Sequence, residues 1–100
     1  MMPPQLESIP TTRHVHDLRI RGEVDVCVAP TLKARLLEKS DASIRLDIRD
    51  LTFIDCRAIS VLLEVRETLR QNGHDMVITG AQSHIARVFR ILELESLLVA

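Results

Sequence analysis

The chain has no Trp and no Tyr, and only two Phe among its 100 residues. Proteins that grip single-stranded nucleic acid or RNA loops stack bases on aromatic side chains, so this composition argues against that class. Excess charge of one sign is also missing: 13 Lys and Arg stand against 14 Asp and Glu, a net charge of −1. A duplex-DNA binder needs a basic footprint, and none is visible. No apolar run is long enough to cross a bilayer, so membrane insertion is not expected. The opening "MMPPQLESIP" lacks both a basic start and an apolar stretch, so no secretory leader is expected. Cysteine is limited to Cys27 and Cys56. Two thiols fit a reducing, cytoplasmic setting better than a disulfide framework. Cys and His do not fall at metal-ligand spacing: the close pair His14 and His16 has no nearby Cys. No metal and no cofactor are expected.

What is present is aliphatic. The chain is 46% hydrophobic and long enough for one domain with a core of Leu, Ile, Val and Ala. Pro3, Pro4 and Pro10 mark residues 1–13 as a lead-in with "LESI" as a possible edge strand. "HVHDLRIRG" reads as a strand ending at Gly22. Pro30 suits the first turn of a helix whose stripe is Leu32, Leu36 and Leu37. "SIRLDIRDL" alternates Ile44, Leu46 and Ile48 with Arg45, Asp47 and Arg49, the pattern of a strand solvated on one face.

A helix is expected from Cys56 to Gln71, closed by Asn72-Gly73. Its apolar face is Ala58, Ile59, Val61, Leu62, Val65 and Leu69. Arg57, Ser60, Glu64, Glu67 and Gln71 form its polar stripe. "DMVITG" is a further strand. "SHIARVFRIL" is a helix with Ser83 as N-cap and Ile85, Val88, Phe89 and Leu92 inward, and "LESLLV" adds a helical turn. The order β-β-α-β-α-β-α-α predicts an α/β domain. Its sheet is mixed, of four to five strands, with an antiparallel N-terminal hairpin, parallel neighbours elsewhere and helices mainly on one face.

Three strings in order resemble the STAS domain family, whose best-known members are bacterial anti-sigma factor antagonists. They are "GEVD" (22–25), "LDIRDLTFID" (46–55) and "ITGAQSHIARVFRILELESLL" (78–98). The resemblance runs from about His14 onward and implies a STAS-like domain over 14–100. It implies a docking surface formed by Asp25, Asp55, Cys56, Arg57, Ser60 and Glu64. The implied partner is an anti-sigma factor of the ATP-binding serine-kinase type. The family carries Asp-Ser-Ser/Thr-Gly at its switch, and its first Ser or Thr is phosphorylated by that partner. Here Asp55 matches the Asp, but Cys56 holds the phosphoacceptor position, Arg57 the next, and Ala58 that of the Gly. A phosphate adds about −1.5 to −2 charges and repels the partner in such a switch. Serine kinases do not ordinarily use Cys, so no phosphorylation is expected at Cys56.

Each residue also has a plainer reading. Asp55 suits an N-cap and Asp25 a turn or capping residue. Cys56 suits a small residue filling a tight turn. A thiol at a helix start beside a cation is also a setting for oxidation, and Cys27 is a conceivable redox partner. Arg57 opposes the helix dipole, a cost of some tenths of a kcal/mol when exposed; its alternative is to meet an acidic group on a partner. Thr52 and Ser60 are hydroxyls that could replace the phosphosite. Two other functions stay open: a STAS-type accessory subunit of a transporter complex, and a redox-responsive regulator acting through Cys56. Enzymatic catalysis is not expected, because no His lies near Cys56 in the sequence to act as its base.

Overall fold

A computed structural model describes residues 5–9 and 15–99. His14 and the three lead-in prolines lie outside the described residues. The elements are β1 (Gln5–Ile9), β2 (Val15–Val24), α1 (Ala29–Leu37), β3 (Ser43–Ile54), α2 (Cys56–Gln71), β4 (Met76–Thr79), α3 (Ser83–Ile91), a 3₁₀ turn (Glu95–Leu97) and β5 (Leu98–Val99). The five strands lie in the order β1-β2-β3-β4-β5. β1 runs antiparallel to β2, and the other three pairings are parallel. Each helix follows a strand and leads to the next one over. With right-handed crossovers, that stepwise order puts all three helices over the same face. There Leu18, Ile20, Ile44, Leu46 and Ile48 of the sheet join Leu32 and Leu36 of α1, Ile59, Leu62, Val65 and Leu69 of α2, and Ile85 and Phe89 of α3 in one core.

β3 has an irregularity that positions everything downstream. Its core-facing residues are Ile44, Leu46, Ile48, Leu51 and Ile54, with two steps of three among steps of two. The partner strand β2 keeps a strict period of two through Leu18, Ile20, Gly22 and Val24. The register explains the mismatch. Arg19 faces Asp47 but Arg21 faces Asp50, and Gly22 faces Leu51 but Glu23 faces Phe53. Two one-residue bulges in β3 absorb the extra residues and return Leu51 and Ile54 to the core. They also carry β2 pairing on to Val24↔Ile54, two residues past the expected end at Gly22.

β4 pairs with β3 only from Ile44 to Asp47, so the second half of β3 overhangs it. Side chains take over there. The Arg49 N–H donates to Asp47 Oδ1 at 2.9 Å, and the Arg49 carbonyl accepts from Gln82 Nε2 at 2.8 Å. The Thr52 carbonyl accepts from His84 Nε2 at 2.8 Å. Polar groups of a strand lacking a neighbour need partners of this kind.

Four expectations need correction. Asp47 points away from the helices as expected, yet it is only 8% exposed. Arg49 Nε lies 2.9 Å and Arg19 Nε 3.5 Å from its Oδ2, and the two long side chains cover it. Ser83 is the first residue of α3, not its cap; the extended residue before the helix is Gln82, whose amide is turned to Arg49. Leu92 is 39% exposed rather than inward, because the helix ends there and the chain turns away through Glu93. Val88 packs only partly buried against the core. Finally, "LESLLV" is a 3₁₀ turn followed by β5, which extends the sheet beside β4.

Candidate functional site

The overhanging end of β3 delivers Asp55 to the start of α2. Asp55 is extended (φ −101°, ψ 174°), as an N-cap residue should be. Its Oδ1 accepts from the Ala58 N–H at 2.9 Å, and its Oδ2 from the Val26 N–H at 2.8 Å. Its own N–H donates to the Val24 carbonyl at 3.2 Å. One carboxylate therefore caps α2 and ties it to the turn between β2 and α1. Asp25 builds that turn: its Oδ1 accepts from the N–H groups of Cys27 (2.9 Å) and Val28 (3.3 Å). Its backbone carbonyl accepts from Val28 and Ala29. Such an Asx arrangement starts α1 without a side-chain cap. Both aspartates are thus occupied as scaffold acceptors, which leaves them poorly placed as catalytic bases.

What the scaffold presents to solvent is different in kind. Cys27, Cys56 and Arg57 are exposed. Cys56 is therefore not a buried filler of a tight turn. Two apolar side chains that the sequence pattern does not single out are also exposed: Val26, 58%, in the turn after β2, and Phe53, 47%, near the end of β3. Ser60 is half-buried, and its hydroxyl donates to the Cys56 carbonyl at 3.0 Å, one turn back in the helix. Thr52 is exposed, and its hydroxyl donates to the Gly22 carbonyl at 3.2 Å.

Further along α2, Glu64 pairs with Lys33 of α1 at 2.7 Å. The Lys33 hydrogen bond and charge, with Arg57 adding its own, hold the Glu64 carboxyl below its ordinary value. Arg57, Lys33 and Glu64 rim a shallow groove between α1 and α2 floored by Ala29, Pro30 and Val61. Among the described residues Arg57 makes no ion pair, and its exposed side chain is available to a partner.

The structure thus brings Asp25, Asp55, Cys56, Arg57 and Ser60 to one edge, with Glu64 two turns along α2. No group of three or more metal-ligating side chains occurs among the described residues. No helix of the described residues is long and apolar enough to cross a membrane. The edge is a rigid base with exposed apolar, thiol and cationic groups, an arrangement suited to docking.

This fold is that of a known class. Residues 8–99 match the STAS domain, and the chain belongs to the STAS domain family. Among curated proteins it is similar to the anti-sigma-B factor antagonist of Listeria monocytogenes. The two are 27% identical over 90 residues, covering 87% of this chain and 78% of the relative. It is also similar to the anti-sigma-B factor antagonist of Bacillus subtilis, 24% identical over 83 residues, covering 81% of this chain and 76% of the relative. Among solved structures, the anti-sigma factor antagonist SpoIIAA in its unphosphorylated form superposes with a TM-score of 0.81 at 19% identity. That match covers 96% of this chain and 85% of SpoIIAA.

Proposed function

We propose that this protein is a cytoplasmic anti-sigma factor antagonist. It binds an ATP-binding, serine-kinase-type anti-sigma factor and so releases a sigma factor, without catalysis and without a cofactor. The docking surface is the edge of Asp25, Asp55, Cys56, Arg57 and Ser60, continued by Glu64, with Val26 and Phe53 as its apolar anchors. The relatives' shared role supports the partner class. The observation that carries the reading is Cys56 itself: it is exposed at the first position of α2, where the family resemblance places a phosphoacceptor, yet it is a thiol. The neighbouring hydroxyls are poor replacements. Ser60 is half-buried and bonded to the helix backbone, and Thr52 is bonded to Gly22. The docking edge then stays free of the charge that would repel the partner.

The test is a pull-down under reducing conditions from the source cells, with identification of what is captured and the mass of the bait. A kinase-type anti-sigma factor bound to unmodified bait supports the proposal. Transporter subunits instead, or phosphorylated bait, overturn it in favour of an accessory-subunit role or an intact phosphoswitch respectively.

A further inference from the structure

α3 divides between two faces. Ile85 and Phe89 are buried in the core, and Val88 packs partly against it. On the outward side Ser83, Arg87, Arg90 and Ile91 line one shallow depression. Their positions in the chain are those of a single helical face. All four are exposed. Ile91 is 70% exposed, more than any other large apolar side chain among the described residues. The helix ends at Ile91, the chain turns away at Glu93, in the left-handed region at φ 59°, and Leu94 packs back against the core. Among the described residues no other side chain lines the depression.

The charges on this face are unmatched. Arg19, Lys33, Arg45, Arg49, Arg66 and Arg70 each sit against a carboxylate, at 2.7 to 3.5 Å. Among the described residues Arg87 and Arg90 have no ion-pair partner, and α3 contains no acidic residue. Acids and bases nearly balance over the chain, 14 against 13. Two guanidiniums without a counter-charge thus share one depression with the most exposed large apolar side chain among the described residues. An exposed Ile alone would be unremarkable; its place between unpaired cations is what marks the face.

We propose that the outward face of α3 docks an acidic amphipathic helix of another protein. Complementary charge and spacing select that occupant. Residues 87 and 90 lie roughly 4.5 Å apart along the helix axis. A second helix laid along α3 offers carboxylates at the same interval when two acids stand three or four residues apart. An apolar side chain on that face then covers Ile91, the mode by which amphipathic helices seat on a surface. Arginine suits the contact: its guanidinium pairs with a carboxylate through two parallel hydrogen bonds, and its stem adds apolar cover. An anionic membrane fits less well, because it is gripped by clusters of about 4–8 basic residues and this depression holds Arg87 and Arg90 alone. Duplex DNA requires a broader basic footprint. The proposal is independent of what binds the Asp55 edge.

The test is an amide-resolved NMR titration of the isotope-labelled whole chain with a stapled helical peptide of Ala, Glu and Leu. Its Glu pair stands one turn apart, with a Leu on the same face. The contact is small, so the dissociation constant should be on the order of 0.1–1 mM. Shifts should centre on Ser83, Arg87, Arg90 and Ile91, and added salt should weaken binding. R87E/R90E should weaken it by at least about tenfold and should bind instead the same peptide with Lys for Glu, a gain that an unfolded variant could not show. Ile91→Ser should weaken it by about threefold to tenfold. In the source cells, benzoylphenylalanine in place of Ile91 should photo-cross-link to a protein segment with acids one turn apart. No shift at millimolar peptide, shifts confined to other residues, or wild-type affinity in R87E/R90E overturns the proposal. So do shifts along α3 with phosphatidylglycerol vesicles but none with peptide, and cross-links only to lipid or to a second copy of this chain.

Discussion

Replacing Asp55 separates its two structural duties. Oδ1 caps α2 at Ala58, and Oδ2 holds the β2–α1 turn at Val26. Removing a capping side chain costs about 0.5–2 kcal/mol. A second hydrogen bond to a charged acceptor adds about 1–2 kcal/mol, taken low because the group is part-exposed. Asp55→Ala should therefore lower stability by about 2–3 kcal/mol, a fall in urea midpoint of roughly 1–2 M. Asp55→Asn keeps an oxygen for Ala58 but turns an amide NH₂ toward the Val26 N–H, two donors face to face. Its cost should be about 1–1.5 kcal/mol, close to one lost bond. The assay pairs urea unfolding with amide hydrogen exchange. In Asp55→Asn the Val26 amide should exchange faster while the Ala58 amide keeps its protection. An Asn variant as stable as wild type, with Val26 still protected, would refute the claim that one carboxylate locks the two halves of the edge together.

Other perturbations test the supporting structure. A Cβ at Gly80 (φ +77°) would lie 2.8 Å from Asp47 Oδ1 and 3.3 Å from the Arg49 nitrogen, whereas at Gly73 (φ +81°) it would meet nothing within 4 Å. Both Ala variants pay about 1–2 kcal/mol for the left-handed backbone, and Gly80→Ala should cost about 1.5–3 kcal/mol more by displacing a charged hydrogen bond. Equal urea midpoints for the two variants would contradict this. Burial pushes the Asp47 carboxyl up, but the Arg49 N–H and guanidinium, with Arg19, outweigh it and hold it below the ordinary 3.8. Asp75 is lowered likewise: burial opposes, and Arg66, the Met76 N–H and Arg70 prevail. A depressed carboxylate stabilises the fold above its unfolded pKa, and that contribution is lost as pH falls through the folded value. Thermal stability should therefore drop as pH goes below about 4 and less steeply in Asp47→Asn; identical acid profiles would exclude Asp47 as a source. Glu93→Gly should raise the stability of dilute protein by about 0.5–1 kcal/mol through relief of positive φ, read as a higher melting temperature.

Much of this was legible in the sequence because it depends on local periodicity. The α2 face from Ala58 to Leu69, the Pro30 start of α1, the Asp55 cap and the turn or capping role of Asp25 each follow from residues a few positions apart. The bulges of β3 were written in the spacing of Leu51 and Ile54, but only the straight period of β2 beside them makes that spacing interpretable. Burial of Asp47 depends on Arg19 from the neighbouring strand and on Gly80 at the end of β4. His84 was read as part of a helix start and Gln82 was not singled out, whereas their bonds go to β3 some thirty residues away. β5 is two residues long, too short to show a period. Val26 and Phe53 look like ordinary strand residues; their exposure comes from the turn that Asp25 and Asp55 hold open and from the bulge before Phe53. The thiol at residue 56 was visible at once, and only the fold shows that it faces solvent.

The central claim is that the α2 edge docks a kinase-type anti-sigma factor and cannot be switched off by it at residue 56. The most direct measurement mixes the purified chain with the ATP-binding anti-sigma factor of its own cells, in ATP and reductant. Complex formation and intact mass are followed over time, with Cys56→Ser in parallel. The account predicts a lasting complex and unchanged mass for the natural chain, and for the serine variant a gain of one phosphoryl group with loss of the complex. Phosphate on the natural chain, or no complex with either, would contradict it.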